Sequence, residues 1–253
     1  MDPLVRFSAL VRQGLRFRRR FEEAKRAAGG GVAWYPYDCF ANLFYLQRLM
    51  RTAGLSLAEM VDGKTVLDVG AADGALSFFF ESLGFAVDAI DCSSTNINRM
   101  QGIRQLAEHF HSKIRIEDAD IDRRLCLKEN HGLALFLGTL YHLKNPFSVL
   151  ETLAEHSRFC FLSTRVARWS PDRRLRLDEA PLAYLLDKAE CNEDSTNYWV
   201  FSPPGLLRLV ERSGWQVCAS ANSGASDSDP SSAMGDERAF LLLRSQRRPY
   251  RVT

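Results

Sequence analysis

The chain has 253 residues, with 46% hydrophobic and 25% charged residues and a formal net charge of +2. That balance belongs to a folded globular protein and excludes a disordered, collagen-like or coiled-coil chain. The near-neutral total gives no reason of its own to invoke nucleic acid or a membrane, and the length suits one large domain or one domain with an appendage.

The expected elements begin with a helix over residues 1–28. Leu4, Phe7, Val11 and Leu15 recur at helical spacing, and Leu10, Phe17 and Phe21 broaden the stripe. Asp2-Pro3 opens this helix and Gly29-Gly30-Gly31 ends it. It carries eight Lys/Arg against three Asp/Glu. Arg6 and Arg12 interrupt its apolar stretch, which is therefore neither a leader nor a membrane span. Trp34-Tyr35-Pro36-Tyr37-Asp38 is an aromatic cluster around a proline, and residues 42–50 read as a helix.

From Lys64 the pattern becomes strand–helix alternation. Strands are expected at 66–69, 86–90, 114–117, 133–137 and 159–163, with helices at 75–83, 95–110 and 146–154. A helix at 203–213 and strands at 215–219 and 239–243 follow, the last two separated by a mobile Ser/Gly/Asp-rich connection at 220–237. Repeated strand–helix units mean an α/β, doubly wound, mostly parallel sheet, here of seven strands, with helices on both faces. The organisation expected is an N-terminal helical extension and aromatic lid over 1–60, then a ligand-binding domain over 61–253 with a substrate insert at about 164–202. Six cysteines, none in a C-x-x-C pair and the nearest two 27 residues apart, read as free thiols of a reducing cytoplasm, with no metal site.

In such a sheet the ligand lies beyond the carboxyl ends of the strands. The first strand delivers Asp68-Val69-Gly70-Ala71-Ala72-Asp73-Gly74. Its glycines allow a tight turn, and the helix that follows aims its N–H groups there. A dinucleotide fingerprint is half matched, because positions 72 and 75 are alanine and Asp73 would face the pyrophosphate; no G-K-[ST] follows for a P-loop. A ligand without phosphates suits the turn better. Asp91 ends the second strand 17 residues after Gly74, where a carboxylate accepts ribose hydroxyls. A nucleoside-containing ligand without a phosphate bridge is implied.

Val66–Gly74 (VLDVGAADG) and Ala89-Ile90-Asp91 resemble the first two motifs of class I S-adenosylmethionine-dependent methyltransferases, with Ala72 standing at the middle glycine of the usual D-x-G-x-G-x-G. Phe136–Pro146 (FLGTLYHLKNP) resembles the fourth-strand motif of the branch that also contains the tRNA wobble-uridine carboxymethyltransferase-like proteins. The likeness covers roughly residues 60–165, and the Trp-Tyr-Pro-Tyr segment is similar to these relatives too. It implies a Rossmann-like methyltransferase fold and S-adenosylmethionine as cofactor. Gly70, Ala71, Ala72 and Gly74 would wrap the methionine end, and Asp68 would hold the turn or reach the amino group. Asp91 would take the ribose, with Cys92 on the adenine and Asp120-Ile121 at its edge; Asp118 and Asp122 rival Asp120. Phe136, Leu137 and Gly138 would pass beneath the sulfonium.

Methyl transfer is an in-line displacement, so alignment and exclusion of water matter most, and a base helps when the acceptor is a hydroxyl. Tyr141 and His142 follow the fourth strand and are the candidate catalytic residues; His142 is a general base or a loop anchor. Candidate acceptor-binding residues are Trp34 and Tyr37 in the lid and Arg165, Asn197 and Trp199 in the insert, against ordinary packing or a salt bridge. The expected acceptor is a small molecule. A tRNA-modifying transferase and a non-catalytic nucleoside-binding relative are the alternatives. The basic first helix is a candidate for RNA contact, for a homodimer contact or for covering an apolar flank. Four arginines and no acid in 244–253 make the far end basic as well, so the body between the two ends is acidic and ill suited to a polyanion.

Overall fold

The computed structural model describes residues 3–231 and 236–247. Asp2, part of the 220–237 connection, and Arg248 and Arg251 of the basic C-terminal end lie outside the described residues. Strands β1 (Thr65–Val69), β2 (Val87–Asp91), β3 (Arg115–Asp118), β4 (His131–Leu137) and β5 (Ser157–Val166) pair in parallel in the order β3-β2-β1-β4-β5. Helices α4 (Ala75–Ser82), α5 (Gln101–Phe110) and α6 (Pro146–His156) alternate with them. Val66, Leu67 and Val69 are at most 1% exposed because both faces of the sheet are covered. The strand order reverses between β1 and β4, which opens a crevice at the carboxyl edge.

After α7 (Pro203–Arg212), strands β8 (Trp215–Gly224) and β9 (Glu237–Ser245) form a long hairpin, and β9 lies antiparallel along Phe159–Val166 of β5. The expected 220–237 connection is shorter than the sequence indicates, because Ser220–Gly224 pair with Leu241–Glu237. Among the described residues the sheet has nine strands rather than seven. The additional pair, β6 (Ala183–Leu185) and β7 (Trp199–Phe201), comes from the insert, and β7 meets β5 at Val166. Since β9 occupies the other flank of β5 at that residue, β7 sits on the β4 side, just past the end of β4. Three-residue strands carry no readable period; their pairing partners create them.

Helices α1 (Pro3–Ala27) and α2 (Asn42–Ala53) are joined to the sheet by one continuous apolar core that also takes in α4 and α5.

 Helix α2 runs Asn42–Ala53, and Gly14 of α1 crosses it so closely that a Cβ there would come 2.3 Å from Leu43 Cδ1. The buried stripe of α1 is Leu10, Gly14, Phe17, Phe21 and Ala24, while Leu15 is 51% exposed. The stripe is thus rotated from the expected one, because Phe17 and Phe21 find the rings of Phe40, Phe78, Phe79 and Phe110. The side chains of Leu4 and Phe7 lie outside the described residues. A short α3 (Leu57–Val61) was not expected; Ser56 and Glu59 close a capping box at its start. Helix α5 begins at Gln101 and not at Thr95, because Asn96 Oδ1 accepts the N–H groups of Asn98 and Met100 and the backbone turns left-handed at Arg99 and Met100. Among the described residues, no helix is long and apolar enough to cross a membrane.

Candidate active site

Gly70 and Gly74 both take left-handed backbone, at φ 75° and 77°. A Cβ at Gly70 would lie 2.2 Å from Thr139 Oγ1, so the turn and the segment after β4 approach as only glycine permits. Ala72 is also left-handed, at φ 53°, where the family pattern has glycine. Its N–H donates to Asp91 Oδ2 at 2.6 Å, and the Cys92 N–H donates to Asp91 Oδ1 at 2.7 Å. Asp91 therefore ties the glycine turn to the end of β2. Burial pushes its pKa up, against the pull of these two bonds. A carboxylate offers about four acceptor sites, so hydrogen-bonding capacity remains for a ligand.

Asp68 is buried beneath the turn and accepts the Ser77 hydroxyl of α4 at 2.6 Å. Burial pushes its pKa up to about 6. This bond ties the end of β1 to α4. Ala71 is buried in the α1-side core. Cys92 Sγ lies 3.1 Å from Ser94 Oγ. Asp120 Oδ1 accepts from the Asp122 and Arg123 N–H groups, Asp118 from Ser93 N–H and Asp122 from Asn145 N–H, so all three rival acids hold backbone. Ile121 and Phe136 belong to the core on the α6 side, and Leu137 packs against the opposite core. Gly138 is left-handed at φ 70°, and its N–H donates to Ser163 O.

The aromatic segment is fastened through Asp73, a residue the sequence reading considered only as an obstacle to phosphate. Asp73 Oδ2 accepts Lys25 Nζ at 2.9 Å and Tyr35 N–H at 2.8 Å, and Oδ1 accepts Asn98 Nδ2 at 2.8 Å. The same Asn98 amide donates to Ala33 O, and Tyr35 Oη accepts the Ile97 N–H. Burial pushes the Tyr35 hydroxyl up to about 12. The Lys25 ammonium stands 5.3 Å from the Trp34 ring centroid. These residues wall a cavity of about 670 Å³, lined among others by Trp34, Tyr35, Tyr37, Ala72 and Asp73. Tyr37 is 76% exposed at its rim.

At the end of β4, Leu140–His142 form a 3-10 turn that the insert closes upon: Tyr198 N–H donates to Tyr141 O at 2.8 Å. His142 Nδ1 is 3.2 Å from Thr196 O and 3.0 Å from Thr196 Oγ1, whose hydroxyl lies 2.6 Å from Asp194 Oδ1. A carbonyl and a hydroxyl already committed to a carboxylate can only accept from Nδ1. The ring therefore carries its proton on Nδ1 and a lone pair on Nε2. Burial pushes the His142 pKa below its ordinary value, with Asp194 opposing. The Tyr141 and His142 ring centroids are 4.3 Å apart.

The other acceptor candidates are placed differently. Arg165 is 4% exposed, beside Cys191 Sγ and 3.6 Å from Asp236. Asn197 is buried within the insert and donates to Cys191 O. Trp199 donates to Lys144 O and packs on the α6-side core, whereas Trp34 lies over Lys25 and Gly102. The arginine that reaches Tyr141 is Arg238 of β9, with Nη2 3.4 Å from the phenol oxygen. The sequence left it between the expected 220–237 connection and the strand at 239–243, without showing which neighbour it would face.

A methyltransferase-domain family model matches residues 37–220. A ubiquinone biosynthesis O-methyltransferase of Haemophilus ducreyi is 26% identical over 136 residues, which cover 52% of this chain and 58% of that protein. Among solved structures, the N-terminal domain of EvdMO1 with SAH bound is 18% identical, with a TM-score of 0.54 over 91% of this chain and 97% of that one. The glycopeptide N-methyltransferase MtfA is 16% identical, with a TM-score of 0.52 over 79% of this chain and 94% of that one. These structural likenesses speak for the fold.

Proposed function

The chain belongs to the methyltransferase-domain family, and from that premise we propose that it transfers the methyl group of S-adenosylmethionine to a hydroxyl of a small-molecule acceptor. The observation that carries this reading is the junction of the glycine turn with Asp91 at one edge of the sheet, within the same crevice wall as Gly138, Tyr141 and His142. The residues present fit the cofactor. Gly70 and Gly138 bring no side chain to the crevice, and Asp91 keeps acceptor capacity after its two backbone bonds. When bound, S-adenosylmethionine supplies an electrophilic methyl group on a sulfonium.

In this reading Gly70–Gly74 wrap the methionine end and Asp91 accepts the ribose hydroxyls. Cys92 packs on the base, and the Asp120-Ile121 turn borders it. His142 takes the acceptor's hydroxyl proton on Nε2, because Thr196 holds Nδ1–H and so fixes the tautomer. Tyr141 lines the methyl site. The insert, closed on Tyr141 and His142, excludes water there, and the aromatic segment walls a cavity of about 670 Å³ against Ala72 and Asp73 of the glycine turn. The O-methyltransferase relative acts in ubiquinone biosynthesis by its name, which favours a small acceptor. The resemblance to the tRNA wobble-uridine branch finds no support in these comparisons.

The test is calorimetry with S-adenosylhomocysteine, followed by transfer of labelled methyl from S-adenosylmethionine to pooled small hydroxylated metabolites and, separately, to bulk tRNA. Binding together with label in the small-molecule pool is the expected result. Absence of binding, or label only in tRNA, overturns the reading.

A further inference from the structure

Arg238 and Arg165 occupy directly opposed positions on β9 and β5. Between them lies Asp236, whose Oδ2 is 3.6 Å from Arg165 Nε and 3.5 Å from Arg238 Nε. The neighbouring acid does not serve Arg238: Glu237 points to the other face, where Arg168, Asn222 and Ser228 hold it. Arg238 stands otherwise over Tyr141, with Cζ 5.7 Å from the ring centroid and Nη2 3.4 Å from the hydroxyl. Its Nη1 approaches Gly138, lying 3.8 Å from where a Cβ would be.

A guanidinium carries five N–H donors in a planar fork, and the fork matches a carboxylate with two parallel bonds. Here its contacts with Tyr141 and Asp236 are long, at 3.4 and 3.5 Å, and Asp236 is shared with a second arginine. The side chain is one-third exposed, at 34%, toward the edge where Gly138, Tyr141 and His142 meet. His142 feels its charge, which opposes protonation of that ring. Asp194 of the insert faces His142 through the Thr196 hydroxyl and opposes the effect of Arg238 on it.

We propose that the acceptor carries a carboxylate that docks on the Arg238 fork beside Gly138 and Tyr141. This rests on the methyl-transfer reading above and narrows its substrate class to hydroxylated carboxylic acids. Docking there presents the rest of the acceptor to His142 Nε2. Arg165, held by Cys191 and Asp236, adds positive potential without reaching the acceptor.

The experiment measures binding of hydroxylated aromatic and aliphatic acids, each paired with its own primary amide. It is run on the protein saturated with S-adenosylhomocysteine and again without it. At least one acid is expected to bind about tenfold more tightly than its amide, as a charge-assisted bidentate pair requires. Arg238→Gln is expected to bring that ratio to within about twofold, and Arg238→Lys to keep part of it as a point charge without the fork. Affinity for S-adenosylhomocysteine, measured on the same preparations, reports that the cofactor site is intact. If no acid is preferred over its amide, or if Arg238→Gln keeps the preference, the proposal is overturned. Failure of S-adenosylhomocysteine to bind at all overturns the methyl-transfer reading instead, and the acid-to-amide ratio of the free protein then still decides the role of Arg238.

Discussion

Asp73→Ala tests the fastening of the N-terminal segment over the glycine turn. The carboxylate is 3% exposed and its partner Lys25 is 11% exposed. Removing it leaves the Lys25 ammonium with the Tyr35 carbonyl at 3.4 Å and two aromatic faces, but without its carboxylate. The Tyr35 N–H loses its acceptor, while the Asn98 amide keeps Ala33 O. Breaking a buried pair on one side costs about 3–5 kcal/mol, and the surviving contacts place this case near ~3 kcal/mol. With a urea slope of about 3 kcal/mol/M, the unfolding midpoint falls by about 1 M. Lys25→Met alone leaves Asp73 with two N–H donors and costs less. The double-mutant cycle is expected to give a coupling of about 1–3 kcal/mol. A midpoint shift under about 0.3 M, or additivity within about 0.5 kcal/mol, would refute the assignment of Asp73 as the hub.

Asp68 has a raised pKa of about 6 in the folded state, so its ionisation opposes folding: the native state binds the extra proton between the ordinary carboxyl value and that pH. Its contribution is fully present below the unfolded value and is lost as pH rises through about 6, by an amount on the order of 3 kcal/mol. Urea midpoints of wild type and Asp68→Asn from acid to neutral pH should therefore shift in favour of the variant as pH rises; a constant difference contradicts the burial argument. Asp91→Ala removes a ribose acceptor and frees the Ala72 and Cys92 N–H groups, and should weaken S-adenosylhomocysteine binding by about 1–3 kcal/mol in calorimetry. Unchanged affinity removes Asp91 from the cofactor site. With its pKa lowered by burial, His142 is neutral at physiological pH, so the rate should plateau toward neutral pH and fall on acidification at a pH below the ordinary histidine value. His142→Asn should lower turnover about 10²–10⁴-fold; intact turnover leaves His142 as a loop anchor only.

The five parallel strands, the glycine turn and the strand-end acid Asp91 were legible in the sequence. The central strands and the turn are local consequences: a strand buried on both faces is an apolar run, and a left-handed turn favours glycine. What stayed hidden depends on groups far apart in the chain. The buried stripe of α1 was set by rings on α4 and α5, and β6 and β7 by each other. Asp73 became a hub only through Lys25, Tyr35 and Asn98, and the tautomer of His142 only through Thr196, 54 residues away. Arg165 and Arg238 look alike in one dimension. Cys191 covers the first, while the second reaches Tyr141 across 97 residues of sequence. Local periodicity and backbone preference determine which segments become strands and turns. The partner of a buried charge is decided by which distant groups the closed fold brings within hydrogen-bond reach, and that is a property of the tertiary structure alone.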